Sequence, residues 1–326
     1  MATKQDDERI SKKFFIEIEQ GQNNLRYVFP CGLGKYRATA QIRQGGSPYK
    51  DNCDITIYGL GIDTLKQLSY LLANPLIEID KRNKVKIWVG GDFKNNQITG
   101  GDLAFQAESY FSAADFSTAP NIAFRIVGAV GYFEDCLSAG TDYEIKRGAT
   151  LEQVFNHIVK QMNWNSVIFA GKSKKKLASK VLDDDYLESP TWYQRASELA
   201  DKFRLQIRFA NYNIIVAKYG ENLFDEEGIS EIGADNGLIS YPTFTSDGIN
   251  FRAIYNNNIK VGSLIKVKSI VPFITGSEVQ KGNETFYKEN TYIVGEKITT
   301  LSSEPNGQWQ TEYRAFYAQG ANFASL

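Results

Sequence analysis

The single histidine, His157, is the first place to look for acid–base or metal chemistry, because imidazole changes charge near neutral pH and binds metals readily. It lies in a segment with helical spacing, where residues three and four away share its face. Those neighbours are Gln153, Val154, Lys160 and Gln161, none of them a carboxylate or thiol. A Ser–His–Asp or Cys–His arrangement has no support there. Cys31, Cys53 and Cys136 are an odd set, far apart, with no Cys-x-x-Cys pair. They read as free thiols of a reducing compartment rather than as a disulfide framework or a zinc site.

Three further patterns have the outline of a site. Ala170-Gly-Lys-Ser173 resembles the end of a phosphate-binding loop, but the pattern needs a glycine at 166, which is Ser. Gly59-Leu-Gly61 stands between a strand and a helix, yet the third glycine of a dinucleotide fingerprint falls at Thr64 and no βαβ series follows. Asp183-Asp-Asp185 with Glu188 lacks the alternate spacing and glycine of a calcium loop, and reads as an acidic run before a helix. Glycosidase carboxylates pair in space rather than along the chain, so the sequence leaves that pairing open. No catalytic, cofactor-binding or metal-binding residue is assigned.

Composition narrows the partners. The 326 residues hold 37 Lys+Arg against 38 Asp+Glu, a formal net charge of −1, and this total gives no sign of the basic excess that nucleic-acid binding needs. No stretch of about 18 apolar residues is present and the N-terminal residues are polar, so neither membrane insertion nor a signal peptide is expected. Synthesis and folding in a cytoplasm are expected. The 20 Phe, 18 Tyr and 4 Trp favour strands, whose half-buried pleated surfaces such side chains fit.

The elements fall into three blocks. Residues 14–138 read as strands at Phe14–Glu19, Tyr36–Ile42, Asp54–Tyr58, Lys84–Val89 and Ile122–Val127, where apolar residues recur with period two. One helix interrupts them, capped by Asp63 or Thr64 and carrying Leu65, Leu68, Leu71 and Leu72 on one stripe. Residues 139–236 read as a small α+β module. Thr150-Leu-Glu-Gln153 has the form of a capping box ahead of Leu151, Val154, Phe155, Ile158, Val159 and Met162. A second helix is predicted from Ser189-Pro190, with Trp192, Ala196, Leu199 and Phe203 as its stripe, and a hairpin turns at Asn211–Asn213. Residues 237–318 return to strands, with a loop at Gly276–Asn283. The fold class is mainly β with an α+β insert, flanked by short tails at 1–13 and 319–326.

Three stretches resemble baseplate hub proteins of contractile bacteriophage tails, the family of late-control-type tail proteins related to the base of type VI secretion spikes. The first is Asp54–Gly59 with the Leu-rich helix and Lys84–Gly90; the second is Leu103–Glu108 running on to Ala119–Phe124. The third is Ile239–Gly248, Phe251, Tyr255–Gly262 and Leu264–Val267. The resemblance implies a homotrimer in which each chain gives two tail-tube-like β-barrel domains, 14–138 and 237–318, separated by the α+β module. Six barrels would then match a six-fold tail tube while the three-fold lower side receives a central spike.

The same resemblance implies a non-enzymatic virion protein of the tail baseplate, assembled in the bacterial host cytoplasm. Its expected partners are its own copies, a separate spike protein, the tail tube or its initiator, baseplate wedge proteins and the tape-measure protein. Interface and core strands are written in the same residues, so no interface residue is assigned. Two other classes stand beside it: a carbohydrate-active or carbohydrate-binding protein acting through Asp184 or Trp192, and a peptidoglycan-binding tail module using the α+β segment.

Overall fold

A computed structural model describes residues 12–21, 24–45, 51–69, 82–136, 138–183, 185–210, 212–224, 229–268 and 291–317. Leu71, Leu72, Asp184, Asn211, the loop Gly276–Asn283, nearly all of the 1–13 tail and the 319–326 tail lie outside these residues. The protein is mainly β. Thirteen strands belong to one large, mostly antiparallel sheet, and the path of hydrogen-bonded neighbours runs between two ends without closing among the described residues.

The chain divides into two compact units. The first comprises Met1–Ile42, Asn52–Tyr132 and Thr299–Trp309. Its strands run in the order Arg37–Gly45, Asn52–Tyr58, Ala123–Ala129, Asp102–Asp115, Lys84–Val89, Phe14–Gln20 and Leu25–Cys31. Period-two burial makes one face of this sheet a core. Ile55 and Ile57 alternate inward on one strand, Val85 and Ile87 on another, and Ile16 and Ile18 on a third. Strand Arg37–Gly45 alternates just as strictly through Ala38, Ala40, Ile42 and Gln44. Two alanines and a glutamine carry that pattern, and small or polar side chains weaken the hydropathy signal.

Strands Asp102–Asp115 and Ala123–Ala129 pack closely at Gly128. A Cβ there would lie 2.9 Å from both the Glu108 carbonyl oxygen and a Val85 methyl, so no larger residue fits without movement. The helix covers Ile62–Leu68, with Leu65 and Leu68 buried as expected. Its N-cap is Gly61 and makes no side-chain cap bond; Asp63 sits in the first turn instead of capping it.

The second unit comprises Arg43–Asp51, Phe133–Ile298 and Gln310–Leu326. Helices Leu151–Gln161 and Trp192–Lys202 pack together and against a three-stranded sheet. In that sheet Leu205–Ala210 pairs antiparallel with Asn213–Lys218, which pairs parallel with Ser166–Phe169. The capping box forms: the Thr150 hydroxyl accepts from the Gln153 N–H at 3.3 Å, and the Gln153 side chain accepts from the Thr150 N–H at 2.8 Å. The second helix begins later than its Ser189-Pro190 signal. Thr191 is its N-cap and accepts from the Gln194 N–H, while the Ser189 N–H is taken by Glu198 at 2.9 Å. The buried stripe moves accordingly to Tyr193, Arg195, Ala196, Leu199 and Ala200.

The rest of this unit is a second β layer. Gly248–Ile254 pairs with Trp309–Tyr317, Leu264–Val267 with Thr291–Ser302, and Ser230–Ile232 runs parallel to Leu264–Val267. Ile249, Phe251, Val261, Ile265, Val294 and Tyr313 are among its core residues, with the Phe251 and Tyr313 rings stacked 5.0 Å apart.

Candidate functional site

His157 lies half-buried on the first helix of the second unit, and two residues distant in sequence meet it there. Tyr143, from the short strand Tyr143–Ile145, stacks on the imidazole at 4.6 Å and 15°. Trp192, at the start of the second helix, meets it edge-on at 5.3 Å. Burial pushes the His157 pKa down, with the Lys160 charge adding to the effect, so the neutral ring is favoured. Lys160 is the one charged group that acts on it among the described residues. Trp192 carries the Arg195 guanidinium 4.5 Å from its ring centre, which occupies one indole face with a cation–π contact. Arg195 is itself buried and donates to the Ser189 and Thr141 carbonyls. The aromatic group thus joins a strand to two helices by ring packing.

The glycine-lysine-serine segment does fall between a strand and a helix, Ser166–Phe169 and Lys174–Ala178. A carboxylate of the same chain fills it. Glu221 accepts from the Ser173 N–H at 3.1 Å and from the Ser173 hydroxyl at 2.5 Å, and its side chain lies where a Cβ on Gly171 would fall. An anion entering this loop would displace a bonded carboxylate, so the turn serves packing. Gly59 holds a positive φ of 82° after its strand, the conformation a tight strand-to-helix turn requires.

Of the acidic run, Asp185 is engaged locally. Asp185 takes its own neighbour's N–H, from Tyr186, and an ion pair from Lys202 at 3.1 Å, and these hold its carboxyl below the usual range. The Glu188 N–H donates to Glu198 at 3.0 Å. The three thiols stay apart: Cys31 and Cys53 are buried and Cys136 is exposed. Burial pushes the Cys53 thiol up to about 12, so it is neither nucleophile nor ligand at neutral pH. Among the described residues no three His, Cys, Asp or Glu side chains converge as a metal site would need. No helix among them is long and apolar enough to cross a membrane.

What remains is contact surface. In the first unit an open groove of about 600 Å³ is bordered by Pro30, Lys35, Tyr36, Arg37, Tyr58 and Asn121. The Arg37 guanidinium sits 4.0 Å over the Tyr58 ring, the Tyr36 ring meets Phe29 edge-on at 5.5 Å, and Leu33 beside them is 88% exposed. Tyrosine and arginine over an apolar base are the side chains that protein interfaces favour. Sequence reasoning missed this groove because it is assembled from a hairpin edge, a strand end and the 119–121 turn.

No protein-family model matches the sequence, and no curated protein does. Solved structures match the fold. A tail protein from Neisseria meningitidis MC58 superposes with a TM-score of 0.59 at 10% identity, over 94% of this chain and 97% of that one. The 43 kDa tail protein of prophage MuSo2 from Shewanella oneidensis gives 0.57 at 11%, over 93% and 97%. The E. coli c3393 protein gives 0.54 at 9%, over 87% and 74%; it is a component of the type VI secretion system with structural similarity to the T4 bacteriophage tail proteins gp27 and gp5. The chain has the fold of these tail and secretion-system proteins, which the three resembling stretches of sequence anticipated.

Proposed function

We propose that the chain is a structural hub of a phage or phage-like tail baseplate, without catalysis of its own. One observation carries the reading: the fold is shared over more than nine-tenths of this chain and of two tail proteins, with no large segment left over in either. In this reading three copies assemble about an axis. Residues 14–138 and 237–318 of each supply tube-like barrel domains, closed by neighbouring copies, and 139–236 is an inserted module. Six such domains adapt a six-fold tail tube to a three-fold spike supplied by a separate protein. Contacts with wedge and tape-measure proteins, and residence in the virion tail, belong to the same proposal.

Two features favour it over a glycan-acting protein. One face of Trp192 is covered by Arg195, and Asp185, next to the Asp184 of that alternative, is bound by Lys202; Asp184 itself lies outside the described residues. Light scattering on the purified chain tests the proposal. Expected is a particle of three times 36.7 kDa alone or, on addition of the spike protein, a complex whose mass exceeds that of the added spike by three chains. A monomer under both conditions contradicts it.

A further inference from the structure

The second unit buries three charged side chains together. Asp51, Arg208 and Lys297 are 4%, 8% and 4% exposed, and they come from three distant parts of the chain. Arg208 Nη2 lies 3.8 Å from Asp51 Oδ2, while its Nη1 donates to the Val261 carbonyl at 3.0 Å. Lys297 Nζ donates to the Ile259 carbonyl at 2.9 Å, two residues away on the same turn. The Gly45 N–H and the Gln44 side chain bond Asp51, and Lys260 is the remaining charge acting on Lys297. Beside the cluster the Leu223 N–H donates to the Gly262 carbonyl at 2.9 Å. The cluster thus joins the strand Leu205–Ala210, from the helix-bearing part, to the 259–262 turn and the strand Thr291–Ser302.

Apolar side chains of similar volume would hold such a junction at least as well, because burying ions costs several kcal/mol each. What charges add is dependence on protons. We propose that Asp51, Arg208 and Lys297 form a latch between the helix-bearing part and the second β layer, and that the latch opens most readily close to neutral pH. The inference is independent of the hub reading.

The signs follow from linkage. Burial pushes the Asp51 carboxyl up to about 6 in spite of Arg208. The closed form therefore holds that proton more tightly than the open form, and the contribution is full in acid and lost as pH rises through about 6. Burial, with repulsion from Arg208, pushes the Lys297 ammonium down to about 7. That contribution is full in alkali and lost as pH falls through about 7. Between these values neither group favours the closed form. Outside them one proton is linked to opening, a change of about tenfold per pH unit.

The test is amide hydrogen exchange on the full chain from pH 5 to 9, expressed as protection relative to the intrinsic rate, with Leu223 as reporter. Its protection should rise about tenfold per unit from pH 7.5 to 9, and again toward acid below pH 6. In Lys297→Met the alkaline rise disappears; in Asp51→Asn the acid rise disappears. A flat wild-type profile overturns the proposal, and this measurement stands even if a variant fails to fold. So does an alkaline slope that survives Lys297→Met, or helix Leu151–Gln161 following in step, which would mean global unfolding.

Discussion

The interior of this protein is mostly apolar, but a few charged side chains are buried in it. Arg82 and Glu108 pair at 3.1 Å with side chains 5% and 0% exposed in the first unit. Removing one partner breaks a buried ion pair in a medium that solvates charge poorly, at a cost of about 3–5 kcal/mol. Glu108→Ala should lower unfolding stability by that amount in a denaturant titration, and Arg82→Met combined with Glu108→Leu should recover most of it. A loss below about 1 kcal/mol for the single variant would show the site to be wet. The thiols offer a second check at this scale. Cys136 should react promptly with a disulfide reagent while Cys31 and Cys53 react only on unfolding, because the latter two are buried. Three fast thiols would contradict the core described here. None of the buried charges was legible in the sequence. Lys297 sits in a strand whose local pattern does not mark it, and its recorded hydrogen bond is to the Ile259 carbonyl, 38 residues away.

Elements were more legible, since their signals are local. The capping box needs only residues 150 to 153, and it forms as read. Thr150→Ala should cost about 0.5–2 kcal/mol by leaving the Gln153 N–H without its acceptor, measured as a fall in Tm or denaturation midpoint. No change would mean the helix end is held by packing alone. The start of the second helix was legible to within two residues. Ser189 and Pro190 carry the right chemistry, but Glu198 reaches back to bond the Ser189 N–H and Arg195 bonds its carbonyl, so the first helical turn begins after Thr191. Other strands escaped for identifiable reasons. Leu25–Cys31 contains Pro30 and exposes Leu25, so it has no clean alternation. Ser166–Phe169 gains its place from the parallel ladder with Asn213–Lys218, which no local pattern announces.

At the scale of the molecule, the order of strands, helices and strands was visible in composition and period, and the shared fold with tail proteins agrees with it. What the sequence hid is how the chain is apportioned. Thr299–Trp309 completes the first unit and Arg43–Asp51 the second, so strands near each end of the chain serve the unit begun elsewhere. Pairings of that kind are fixed by long-range packing, which leaves no mark at one position. Among the described residues the path of strands stays open, which suits the proposed assembly with other copies. The central claim is a three-fold hub, and electron microscopy of the purified protein, alone and with its spike protein, tests it most directly. End-on class averages should show three-fold symmetry with six β lobes around a central opening. Single particles of one chain under both conditions, or an assembly without a three-fold axis, would contradict the account.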